Sequence, residues 1–391
     1  MSAPRRSIGR FRVPGRSAVA QRHFVSTLYL PRSSRQQQLL RVAERLPPAL
    51  GSALLARFSG PPAGEEPEPA ALELERRVLR DLSGGAAELA IALLGYTGQG
   101  RAVSWVFTPG EAAPRWVSKI ARAVPASGLE RERSRLHELR ASLSPELAGT
   151  LAAPVAFAAE GGWQVLVSTA RPGRTLAASL ARTPRDSARR VYLFAAAARW
   201  LARFHRESAP AVAGGEAPGS LVAVLRRGES GPWLVTLAEG HARGTLRRVR
   251  SHGDFWPRNL LVETDPARVV GVVDWESAEE SELPHHDLFD FVFAHAAAAH
   301  DGGAGVRPID AFRHAVLEPT PLRAALTGFL TTYAHEAGLE PRWLEPLLAL
   351  YLSELAAGVR EVGISAPEQR SEVARTWWDL YSTAGRPVFS G

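Results

Sequence analysis

Between residues 88 and 168 short apolar runs alternate with turn residues. Leu89–Gly95, Val103–Thr108, Arg115–Ala121, Pro154–Ala158 and Trp163–Ser168 each read as a strand, with turns at Tyr96–Gly100 and Pro109–Gly110. One helical stretch interrupts them, Leu129–Ala141, with Leu129, Leu136 and Leu139 as its apolar stripe. Strands broken by a single helix predict a small α+β lobe. After Arg171-Pro-Gly173 the apolar spacing changes to three and four. Ala188–His205 is the clearest helix, with Leu193, Ala197, Trp200 and Phe204 on one face and Tyr192, Ala195, Arg199 and Ala202 on the other. Helices are also predicted over Asp287–His295, Pro321–Glu336, Trp343–Val359 and Ser371–Tyr381. A strand pair, Leu260–Glu263 and Val269–Val273, brackets the turn Thr264–Pro266.

The chain before residue 86 has a different texture. Residues 1–20 are rich in Arg, Pro and Ser, a composition that predicts disorder. Gln36–Phe58 reads as helical, and residues 60–69 read as a Pro/Glu linker. A short helix, Ala71–Leu82, ends at Gly84-Gly85. The expected organisation is an N-terminal extension over 1–85, a β-rich lobe over 86–170 and a larger helical lobe over 171–391.

Composition narrows the function classes. The 391 residues allow two or three units, and 45% apolar with 22% charged residues suits a soluble globular chain. No Cys is present, so disulfides, thiolate zinc sites and cysteine nucleophiles are excluded. Apolar runs such as Leu347–Leu352 are far shorter than the roughly 18 residues a membrane span needs. The N-terminal arginines have no apolar stretch behind them, so no signal peptide is read and a cytoplasmic location is expected. The net charge of +7 would suggest nucleic acid. However, all but one of the 47 basic residues are Arg, a coding bias, and acidic residues are interspersed among them. No nucleic-acid partner is therefore expected, and oligomeric state is left open.

Against that bias, the single Lys, Lys119, and the single Asn, Asn259, stand out. Asn259 closes His252-Gly-Asp-Phe-Trp-Pro-Arg-Asn259, which has the spacing of a kinase catalytic loop. In such a loop Asp254 would accept the proton of an attacking hydroxyl, and the Asn259 amide oxygen would hold a metal. Fifteen residues on, Asp274 ends the apolar run Val272-Val273. Asn259 and Asp274 would together supply oxygen ligands for Mg²⁺. Lys119 lies on a predicted strand followed by a helix carrying Glu130, Glu132 and Glu138. A strand Lys paired with a helix Glu positions nucleotide phosphates in kinase-type folds.

These residues resemble the aminoglycoside phosphotransferase/choline kinase-like family over roughly residues 86–391. Gly253 stands where protein kinases have Arg, and Trp275-Glu276 follows the metal Asp. Leu201-Ala-Arg-Phe-His205 and Leu283-Pro-His-His-Asp287-Leu are similar to further segments of that family. The resemblance implies a bilobal protein-kinase-like fold of α+β class, ATP or GTP with Mg²⁺ as cofactors, and a small-molecule hydroxyl acceptor. It also favours Glu132 among the helix acids, through its register to Leu136 and Leu139. Gly95, Gly98 and Gly100 do not make a G-x-G-x-x-G pattern; they offer backbone donors to phosphate or form a plain hairpin turn. His252 reads as a residue that holds the loop, and Asp287 either orders the catalytic loop or N-caps its helix. His285 and His286, without further ligands at suitable spacing, read as loop residues.

Other nucleotide and hydrolase signatures fail. The sole Lys follows Ser118, so there is no Walker A sequence, and no G-x-S-x-G or H-E-x-x-H occurs. Asp287 follows Asp274 by only 13 positions, leaving no room for an activation loop and favouring a small acceptor. A sugar, amino sugar or aminoglycoside-like hydroxyl is the expected acceptor. A polycation would use Glu276, Glu279, Glu280 and Glu282, and an ammonium cage would use Trp377, Trp378 and Tyr381. The rival reading is a non-catalytic nucleotide-binding or scaffold protein that uses residues 1–85 as its interaction surface.

Overall fold

The computed structural model describes residues 5–8, 11–14, 17–28, 34–58, 68–84, 88–92, 102–108, 110–123, 128–184, 187–209, 217–227, 232–300, 312–357, 375–376 and 378–379. The chain forms two compact units. Met1–Ala141, Pro145–Arg182 and Val270–Glu276 make the first, and Ser142–Ser144, Thr183–Val269 and Ser277–Gly391 make the second. The first is built on a sheet and the second is mainly helical, the α+β composition expected. The division between them coincides with neither 85/86 nor 170/171.

The sheet of the first unit has five antiparallel strands. Their order is Glu88–Ala92, Ala102–Phe107, Trp116–Arg122, Trp163–Thr169 and Pro154–Glu160. Trp116–Arg122 is central, with Lys119 opposite Val103 on one side and Leu166 on the other. Alternation sends Trp116 and Ile120 to one face, where they join Val106, Val165 and Val167. Ala71, Leu74 and Leu79 of the Pro69–Ser83 helix cover that face. On the opposite face Ala121 and Leu166 pack with Leu129 of the Gly128–Ser142 helix. Lys119, two residues from Ala121, takes this second face.

The N-terminal segment belongs to the same unit, contrary to the expectation of a tethered, separable extension. Within residues 1–20, read as disordered, Arg5–Ile8 and Phe11–Pro14 pair as an antiparallel ladder, and the helix Ala18–His23 begins there. Regular backbone pairing there outweighs the Arg- and Pro-rich composition. The helix expected over 36–58 is two, Ser34–Ala43 and Pro48–Phe58, because Pro47-Pro48 supplies no amide hydrogens to continue the first. Phe24, Val25, Leu40, Ala43 and Leu55 form a small core between these elements. That core is fastened to the rest of the unit. Ala20 packs on Phe107, the His23 ring meets Phe107 edge-on at 5.7 Å, and Arg182 donates to the Val25 carbonyl at 3.0 Å.

In the second unit the Ala188–Ser208 helix buries Leu193, Ala197, Trp200 and Phe204, the face its spacing predicts. Ala202, expected on the other face, is buried as well. The Pro321–Ala337 helix packs along it. Two helices, Gly219–Arg226 and Pro232–Ala242, were not legible in the sequence. Val249–Ser251 pairs antiparallel with Glu279–Glu282, so three of the four acids considered for a cationic acceptor lie on a strand. His285 and His286 are not loop residues: they open the His285–His300 helix and are buried. Leu344–Ala356 follows the 3₁₀ turn Pro341–Trp343, and residues 347–352 are buried all round. Of the helix expected over 371–381, only residues 375, 376, 378 and 379 are among the described residues. No helix among the described residues is long and apolar enough to cross a membrane.

Candidate active site

The chemistry-bearing residues fall into two sets, one in each unit. In the first, Glu132 lies on the buried stripe of its helix together with Leu129, Leu136 and Leu139. Glu130 and Glu138 sit on the exposed side, near Arg133 and Arg135 respectively. A carboxylate among leucines needs a charged partner, and the strand opposite supplies it. Lys119 Nζ donates to both Glu132 oxygens at 2.7 Å and to Asp274 Oδ1 at 3.0 Å. Burial works against the Lys119 charge, yet the Asp274 and Glu132 carboxylates outweigh it and hold the ammonium above its ordinary pKa. Asp274 has φ of 73°, the one positive value at a non-glycine among the described residues. Such backbone strain persists only where surrounding structure imposes it, and it clusters at functional sites. Here the Trp275 ring, fully buried, donates to the Val272 carbonyl at 3.0 Å, and the Trp275 amide reaches Glu132 at 3.4 Å.

The second set is the loop 252–259. Asn259 Nδ2 donates to the Asp254 carboxylate at 2.8 Å and to the Asp254 carbonyl at 2.9 Å. This fixes the amide so that its nitrogen serves Asp254 and its oxygen takes no part in those two bonds. The Asp254 amide donates to His252 Nδ1 at 3.2 Å, so that ring nitrogen is an acceptor and His252, buried, holds the loop. Gly253 has φ of 77°, and a Cβ at this position would run into the Ser277 carbonyl. That accounts for Gly where an Arg would be blocked. Asp287 Oδ2 accepts the His252 amide at 2.8 Å, and Oδ1 accepts the Gly253 amide at 2.9 Å. His205 Nε2 lies 3.0 Å from Asp287 Oδ2, and His205 Nδ1 lies 2.7 Å from the Tyr333 hydroxyl. Asp287 is thus a member of the loop's hydrogen-bond network, anchored from behind by His205 and Tyr333.

Asn259, in the second unit, and Asp274, in the first, each carry an oxygen of the type Mg²⁺ accepts, an amide oxygen and a carboxylate. Gly95, Gly98 and Gly100 lie outside the described residues, as do Trp377 and Tyr381. Trp378 packs edge-on to Trp233 at 6.0 Å. Of the acids considered for a cationic acceptor, Glu282 accepts from the Ser220 hydroxyl at 2.8 Å at the start of the Gly219–Arg226 helix.

Residues 97–329 match the model of the phosphotransferase enzyme family. The chain belongs to that family. Membership makes it a phosphotransferase and accounts for its division into a β-rich and a mainly helical unit, the bilobal kinase-like fold expected from the motifs. Among solved structures, an aminoglycoside phosphotransferase of Streptomyces rimosus is 17% identical, covering 80% of this chain and 98% of its own, with a TM-score of 0.40. An aminoglycoside-3'-phosphotransferase of type VIII is 20% identical, covering 78% and 98%, at 0.43. An ethanolamine kinase of Plasmodium vivax is 11% identical, covering 82% and 90%, at 0.49. The family assignment rests on the 97–329 match. No curated protein matches the chain.

Sequence reading of the phosphotransferase missed Tyr333. Its signal was present: it continues the stripe Leu326, Phe329, Leu330 at helical spacing, and a Tyr inside such a stripe needs a partner for its hydroxyl. The network also carries a pH dependence. Burial works to raise the Asp287 pKa, but the His205 hydrogen bond and charge and the charge and backbone amide of His252 outweigh it, lowering it to about 2. A depressed carboxylate stabilises the fold above its unfolded pKa, near 4, and that contribution is lost as pH falls through about 2. The shift corresponds to about 2–3 kcal/mol. Denaturant melts of wild type and Asp287→Asn from neutral pH to pH 2 are expected to differ accordingly. Wild type should lose about that much more stability on acidification, since Asn cannot titrate. Parallel curves would show that Asp287 is not held ionised by this network.

Proposed function

We infer that the phosphotransferase moves the γ-phosphoryl group of ATP or GTP to a hydroxyl of a sugar, amino sugar or aminoglycoside-like small molecule. The observation that carries this reading is the chain's only Lys, held 2.7 Å from both Glu132 oxygens and 3.0 Å from Asp274. Lys119 binds the α- and β-phosphates as a point charge, and Glu132 fixes its position. Asp254 accepts the proton of the acceptor hydroxyl as its oxygen forms the new bond to phosphorus and the bond to the β-phosphate oxygen breaks. Asn259 orients the Asp254 carboxylate through its amide N–H. Asn259 and Asp274 would hold Mg²⁺, which supplies charge neutralisation at the phosphate oxygens when bound. His252, Gly253 and Asp287 keep the loop in shape. A small acceptor is supported by the short path after Asp274, where strand Glu279–Glu282 leads directly into the helix at His285.

The rival scaffold reading has no comparable support, and the N-terminal segment it relies on packs on Phe107 and Arg182. The test is direct. Mg-ATP or Mg-GTP at millimolar concentration is expected to raise the melting temperature in proportion to the logarithm of ligand concentration. A nucleotide-consumption screen over aminoglycosides, sugars and amino alcohols should then find an acceptor. Absence of any shift with both nucleotides would overturn the proposal.

A further inference from the structure

Apart from the residues assigned above, one buried cluster has the chemistry of a metal site. His285 and His286 open one helix, and Glu354 lies near the end of another, Leu344–Ala356. All three are buried, and one donor atom from each lies within 4.8 Å of the other two. Both imidazoles approach the same oxygen: Glu354 Oε2 is 2.9 Å from His285 Nε2 and 2.7 Å from His286 Nε2.

Counting protons shows why the arrangement is unusual. His285 Nδ1 is 3.1 Å from the Leu283 carbonyl, and its Nε2 faces a carboxylate. Both neighbours only accept, while a neutral imidazole has one N–H. A cation at Nε2 would satisfy both neighbours: Nδ1–H then donates to Leu283, the backbone-carbonyl support that metal-bound histidines ordinarily have, and Nε2 and Glu354 share the metal. Nearby carboxylates have other duties. Asp287 accepts from the His252 and Gly253 amides and lies beside His205, and Asp290 accepts from the Tyr351 hydroxyl at 2.8 Å.

We propose that His285 Nε2, His286 Nε2 and Glu354 Oε2 form a binding site for a divalent transition metal of the zinc type. Two imidazoles and a carboxylate are a ligand set zinc accepts, with a fourth position for water. Metal–ligand bonds of about 2.0–2.2 Å set tetrahedral ligand atoms roughly 3.3 Å apart. The 2.7 and 2.9 Å separations must therefore widen by about half an ångström, within reach of a small turn of the Glu354 side chain. Magnesium does not suit the site, since it prefers oxygen ligands and retains several waters. The two histidine ligands belong to the first turn of the helix whose third residue, Asp287, holds the loop amides of His252 and Gly253. The metal would tie that turn to the Leu344–Ala356 helix and act structurally. The site does not depend on the phosphoryl-transfer assignment.

The experiment uses the full-length protein after chelator treatment, titrated with Zn²⁺ and with Co²⁺ as a spectroscopic probe. The expected results are one bound metal per chain, a melting temperature raised by Zn²⁺ and lowered again by chelator, and visible Co²⁺ absorption of a low-coordinate nitrogen/oxygen site. Glu354→Gln and His286→Gln should each weaken binding at least tenfold, while Asp274→Asn should leave it intact. No melting shift and no Co²⁺ absorption in the wild type would mean that the cluster is a histidine–carboxylate ion pair only, and would overturn the proposal. Equal affinity in wild type and both ligand variants would also overturn it. The wild-type measurements need no variant, so the test stands even if a substitution prevents folding.

Discussion

Asp254→Asn is expected to lower turnover by about 10²–10⁴-fold, the usual contribution of a positioned general base, while leaving Mg-nucleotide affinity close to wild type. The reason lies in the loop's own hydrogen bonds. Asn259 Nδ2 is shared between the Asp254 carboxylate and the Asp254 carbonyl, and an Asn side chain at 254 can still accept the first of these through its oxygen. The loop therefore keeps its shape: the His252 and Gly253 amides stay on Asp287, and the residue-254 amide stays on His252. Only the capacity to take a proton is lost. Steady-state kinetics paired with calorimetric nucleotide titration read the two effects separately. Asp274→Asn should do the reverse and weaken Mg-nucleotide binding. If both variants lose nucleotide affinity to the same extent, the division of roles is wrong.

Lys119 is expected to show the second large effect, in stability as well as rate. Its partner Glu132 keeps only 4% side-chain exposure, so Lys119→Ala strands a carboxylate in a leucine-lined helix face. Removing one member of such a pair costs about 3–5 kcal/mol. The double variant Lys119→Met with Glu132→Leu should recover much of that stability, because an apolar pair of similar volume replaces two buried charges. It should recover no activity, which separates the structural from the catalytic share. Lys119→Arg keeps the charge but not the shape. Three carboxylate oxygens converge on one ammonium at 2.7, 2.7 and 3.0 Å, a geometry that a planar guanidinium fork does not reproduce. A loss of at least about tenfold in kcat/KM is expected, roughly 1.4 kcal/mol of transition-state stabilisation. Denaturant midpoints and kcat/KM across the three variants are the measurements. Near-equal kcat/KM for Lys119→Arg would remove Lys119 from the site.

What the sequence by itself determined was the chemistry and the local elements. Short apolar runs bounded by turn residues marked the central strands, and period three to four marked the Ala188–Ser208 and Pro321–Ala337 helices, because run length, turn residues and helical spacing are local properties of the chain. Lys119 and Asn259 stood out because a chain that writes Arg almost everywhere kept one Lys and one Asn. Even Glu132 was partly legible: it shares the phase of Leu129, Leu136 and Leu139, whereas Glu130 and Glu138 do not. Tertiary structure decided the rest. Whether the expected 1–85 extension was free depended on contacts of Ala20 with Phe107 and of Val25 with Arg182, more than eighty positions further along the chain. Asp287 could have capped its helix, and only folding brought its two oxygens to the amides of His252 and Gly253. His285 and His286 had no further ligand in their neighbourhood of sequence. Glu354, a buried acid near the end of the Leu344–Ala356 helix, reaches them across nearly seventy residues. Local pattern reports the conformation each segment prefers. A buried polar group's partner is set by which segments the apolar faces bring together, and that information is distributed over the whole chain.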